Sequence, residues 1–89
     1  MMTSTELADL NGGMLPEKVV LRHRVTGMRI RVIQGGRSFA LRGEVWGYCH
    51  VLRQDGHRDM RWREWTGHLG PDWSVEEREP LEGVTGRGA

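Results

Sequence analysis

Cysteine occurs once in the sequence, at Cys49, so the chain has no partner for an internal disulfide and a reducing compartment is its natural setting. No apolar run approaches the roughly 18–20 residues that carry a helix across a bilayer. The first residues, Met1-Met2-Thr3-Ser4-Thr5-Glu6, lack the basic and apolar stretches of a secretory signal. Together these absences lead one to expect a cytoplasmic protein with no membrane partner. Metal-ligand spacing is missing too. His23, His50, His57, His68 and Cys49 form no Cys-x-x-Cys or His-x-x-x-His pattern, so neither a metal nor another cofactor is expected. Gly35-Gly36-Arg37-Ser38 lacks the lysine and glycine spacing of a phosphate-binding loop. Nothing in the spacing of Glu44, Asp59, Glu64 and Asp72 singles out a catalytic pair. Cys49 falls mid-strand on an expected core face, where a thiol is inert. No reaction is written in these residues, and an enzyme is not expected.

Lysine is also scarce. Lys18 stands alone against twelve arginines, a ratio that suits the GC-rich genome of a bacterium or its phage. Codon bias explains the ratio but not the placement. Residues 18–63 carry eleven basic side chains against three acids, net +8, whereas residues 1–17 sum to −3 and residues 64–89 to −4. The overall +1 conceals a basic middle between two acidic flanks. At 89 residues the chain makes one domain at most. So small a core leaves room for support from a homo-oligomer or a ligand.

The pattern of residues is that of strands. Lys18 to Ile33 alternates β-branched residues with arginine across Thr26-Gly27, a hairpin signal. Gln34-Gly35-Gly36-Arg37 reads as a loop. Ser38–Arg53 and His57–Trp65 read as a second pair joined at Asp55-Gly56. Trp73 to Glu77 suits a last strand or a helical turn, with Ser74-x-x-Glu77 matching a capping box. The expected fold is mostly β, a small antiparallel β-barrel or bent sheet of four or five strands, SH3-like in size, with flexible termini. Its parts are an arm over residues 1–17 with at most a short helix capped by Ser4 or Thr5, a β domain over 18–77, and a disordered tail over 78–89.

Two surfaces follow from turn geometry. A two-residue turn at Thr26-Gly27 sets Arg24 opposite Arg29 and Arg22 opposite Arg31, a quartet on one face. Leu21, His23, Val25, Met28, Ile30 and Val32 then face the core. Opposed arginines repel, so an anion is expected between them, and the planar guanidinium fork suits phosphate or carboxylate. A bare solvated face, or pairing with the chain's own acids, would also account for them. A tight turn at Asp55-Gly56 sets Cys49 opposite Trp62 and Val51 opposite Met60 as core. It leaves Trp46, Tyr48, His50, Arg61, Arg63 and Trp65 on the other face. Aromatics interleaved with arginine resemble a base-stacking platform. Trp46 and Trp65 have a second reading, as packing beneath the Trp73 segment. The expected partner is therefore a nucleic acid or another polyanion, or else an acidic protein docked on the arginine and tryptophan surface.

Overall fold

The alternating runs pair into one antiparallel sheet. A computed structural model describes residues 2–61 and 63–76. Helix α1 spans Ser4–Leu10, followed by strands β1 (Val20–His23), β2 (Arg29–Ser38), β3 (Glu44–Leu52), β4 (Glu64–His68) and β5 (Trp73–Val75). The strand order is β4-β3-β2-β1-β5, and every neighbouring pair is antiparallel. The expectation of a mostly β fold with four or five antiparallel strands matches this sheet. The tail 78–89 and Trp62 lie outside the described residues. Among those described, no helix is long and apolar enough to cross a membrane.

The first hairpin departs from the two-residue turn. His23 N–H donates to Met28 O at 2.8 Å, and Arg22 lies opposite Arg29, so the loop holds four residues, Arg24 to Gly27. The cause is His23 itself. Its Nδ1 accepts from the backbone N–H of both Val25 and Thr26 at 3.2 Å, and its carbonyl accepts from Gly27 N–H at 2.9 Å. Gly27 takes the left-handed φ of +77° that closes such a loop without a Cβ penalty. Lengthening the loop by two residues preserves parity, so the face assignment survives: Leu21, Ile30 and Val32 are buried. Val25 leaves the core face for the exposed loop.

The second hairpin departs further. Arg53 N–H donates to His57 O at 2.8 Å, enclosing three residues rather than two, with Gly56 at φ +89°. Leu52 then pairs with Arg58. Between Asp59, which donates to Val51 O, and Arg63, which accepts from Val51 N–H, the chain leaves the ladder. When it returns as β4, Cys49 faces Trp65 and His50 faces Glu64. The one-residue change in loop length inverts the faces of the returning strand. Trp65 thus joins the core side, and Met60, expected in the core, is exposed.

Gln34 to Arg37 is strand, not loop. Gly35 and Gly36 continue β2 past a bulge at Ile33 because another backbone crosses them. Leu15 N–H donates to Gly35 O at 2.9 Å and Arg37 N–H to Gly13 O at 2.7 Å, and Met14 bridges to Gly36. The segment before β1 is therefore laid against the sheet. Its helix is capped by Thr3 rather than Ser4 or Thr5, because Thr3 and Glu6 form a reciprocal capping box. That frees Ser4 to point inward, where its buried hydroxyl reaches the carbonyl oxygens of Leu69 at 2.5 Å and Gly70 at 2.8 Å. Ala8 is fully buried in a core with Leu15, Val19, Leu21, Ile30, Val32, Val45, Cys49, Val51, Leu69 and Trp73. Helix α1 covers one face of the sheet. Among the described residues no element covers the other.

Candidate anion-binding face

The face opposite α1 holds the side chains that alternate out of phase with the core. Arg22, Arg29 and Arg31 all stand on it, with Arg22 directly across from Arg29 and Arg31 between Val20 and His50 on the flanking strands. Arg24 does not. It lies in the loop, where its Nε donates to Asp72 Oδ1 at 2.8 Å and its N–H to Asp72 O. The quartet is thus a triad, with one opposed pair instead of two.

That opposed pair is relieved from within the chain. Arg29 grips Glu76 with two charge-assisted bonds, Nη2 to Oε1 at 2.6 Å and Nε to Oε2 at 2.8 Å. Its Nη1 also donates to Arg53 O at 2.9 Å, so this guanidinium is a structural clamp. The bond to Glu76 raises its already high pKa further. Arg22 and Arg31 have no carboxylate partner among the described residues.

Around Arg31 the sheet forms a groove of about 480 Å³ lined by Glu17, Lys18, Arg31, Val32, Ile33 and His50. Lys18 is brought there by a left-handed backbone at φ +69°, with its N–H donating to Val32 O. Arg58, carried by the second hairpin, places Nη1 3.2 Å from His50 Nε2. Lys18 and Arg58 lie within the stretches read as strands but were not among the residues assigned to either surface. The pairing of Arg31 with His50 needed the β2–β3 register, which neither turn specifies.

Of the aromatic set, Trp46 and Tyr48 share this outer face, two residues apart on β3. Tyr48 is exposed, and the Glu64 carboxylate beside its hydroxyl holds the phenol above its ordinary range. Trp46 lies across from Gly36 and 6.2 Å from His68; its indole N–H is buried and meets no acceptor among the described residues. Trp65 is on the opposite side, packed on Trp73 at 5.3 Å between ring centroids. Arg61 is exposed on the segment between Arg58 and β4, apart from the ladder, and Arg63, also exposed, stands where the chain rejoins it opposite Val51. The structure therefore assembles Arg22, Arg29, Arg31, Trp46 and Tyr48, adds His50, Lys18 and Arg58, and separates Arg24 and Trp65.

No protein-family model matches the chain, and comparison with curated proteins and with solved structures likewise finds no match.

Proposed function

We propose that this chain is a non-enzymatic binding module that takes nucleic acid on the uncovered face of its sheet. The observation that carries the reading is the pair Arg22 and Arg31, which stand on neighbouring strands of one open face without a carboxylate partner among the described residues. Lys18, His50 and Arg58 extend the positive surface, and exposed Tyr48 continues it along β3. Phosphates would lie along the cations and a base would stack on the tyrosine ring, which favours a single strand with splayed bases. Glu64 and Glu76 stand at the two rims and would confine the strand to the centre.

Fluorescence anisotropy with labelled single- and double-stranded oligonucleotides tests this across a salt series. Single-strand affinity should fall with salt, with a log–log slope of about −0.7 for each phosphate neutralised. Arg22→Gln with Arg31→Gln should weaken binding at every salt concentration and flatten that slope. Arg24→Gln, already bound to Asp72, should leave it close to wild type. Absence of binding at low salt, or a double variant that binds like the wild type, would refute the proposal. A protein partner is the second reading, favoured by the fully exposed Phe39 and by Leu41 in the β2–β3 connection. Under it, Phe39→Ser abolishes capture of the partner and oligonucleotides do not bind.

A further inference from the structure

The two outermost strands are treated differently. The outer edge of β5 is closed by the N-terminal segment, with Val75 N–H donating to Met2 O and Thr3 bridging to Ser74. Strand β4 has no such cover among the described residues. Leu69 N–H donates to Val45 O, and Val51 N–H donates to Arg63 O. In this ladder Trp65 and Gly67 turn their backbone groups toward β3, while Glu64, Thr66 and His68 turn theirs outward. All three outward residues are exposed. The strand contains no proline, lysine or bulge, three of the devices that blunt an edge, and its titratable side chains stand only at its ends, Glu64 and His68.

We infer that β4 pairs with β4 of a second copy of this chain, antiparallel and centred on Thr66, joining two sheets into one. The sequence of the edge is self-complementary in that register alone. Glu64 falls opposite the partner's His68 at both ends, a carboxylate facing a ring that can donate a hydrogen bond to it. Trp65 falls opposite the partner's Gly67, each indole already lying over the glycine of its own strand. Thr66 meets itself on the two-fold axis. The three outward-facing backbone positions all find partners in this register, whereas sliding it by two residues loses one of them and sets Glu64 against Thr66. A second copy fits this edge better than an arbitrary peptide because its complement is already encoded in the strand.

Sedimentation equilibrium on the intact chain, without nucleic acid, reads the proposal independently of the binding face. The average mass should climb with concentration from 10.2 kDa toward about twice that value. Thr66→Pro removes an N–H that no bond among the described residues uses, and should hold the mass at the monomer value while the far-ultraviolet spectrum stays native. Thr66→Cys offers a second test that does not rely on proline being tolerated. In the proposed register the two Cα atoms lie about 5.5 Å apart, within disulfide range, so mild oxidation should give a covalent dimer. Gln54→Cys, on the distant hairpin, should give at least tenfold less. A mass fixed at 10.2 kDa at every concentration overturns the inference, and so does equal cross-linking of the two cysteine variants.

Discussion

At the scale of single residues, burial decides the chemistry more than residue type does. Cys49 is fully buried on β3, and loss of water pushes its thiol up to about 12. The sign of the linkage follows. An unfolded chain releases this proton near 9.0, while the folded chain holds it to about 12, so stability falls as pH rises through that window. Tyr48, also raised, acts in the same sense. Urea midpoints measured below and above pH 9 should decline, and Cys49→Ala should flatten part of that decline. A thiol reagent should leave the native protein unmodified and react only after denaturation; prompt native labelling would contradict the buried assignment. His23 shows the same principle from the other side. Read from sequence as a satisfied core histidine, it packs edge-on against Trp73 at 4.9 Å and turns its ring nitrogen to the loop backbone.

At the scale of elements, alternation was legible and loop length was not. Period two in Lys18 to Ile33 told which residues of β1 and β2 face the core, and the loop that joins them, longer by an even number, kept that parity. Asp55-Gly56 promised a two-residue turn, but Asp55 accepts from His57 N–H at 3.0 Å and pairs with Arg53, which stabilises a three-residue loop. One residue of difference sent Trp65 to the core side and took it from the proposed aromatic surface. The glycine pair was misread for another reason: glycine marks close backbone approach as well as loops, and only the folded chain shows which. A Cβ on Gly36 would sit 2.5 Å from Gly13 O and 3.1 Å from Met14 Cα. Gly36→Ala should therefore lift residues 13–15 from β2 at a cost of about 1–3 kcal/mol, measured by urea unfolding. A wild-type midpoint would show that the segment does not depend on that contact.

At the scale of the whole molecule, the segregation of charge along the sequence has a structural use. Arg37 pairs with Asp9 from one acidic flank, and Arg24 and Arg29 pair with Asp72 and Glu76 from the other. The basic middle is stapled to both ends, and only the cations left over are available to a partner. The sequence presented the arginines as one set because ion pairing across tens of residues leaves no local pattern. The N-terminal flank has the larger mechanical part. Deleting residues 1–13 removes the helix, the Ser4 bonds to Leu69 and Gly70, and the backbone that closes β5. Such a chain should lose its cooperative thermal transition by circular dichroism, and a melt like that of the full chain would contradict this role.

The contact of Ser4 with Leu69 and Gly70, and of Met2 with Val75, also constrains how the protein can be made. A ribosome delivers the helix well before its binding site. A seven-residue helix does not persist alone in water, so α1 must wait, unformed, until β5 has emerged. The strands between can pair as hairpins during synthesis, but the core stays open on its helical side until nearly the whole described chain is free. The core is therefore sealed on its helical side only after β5 has left the ribosome.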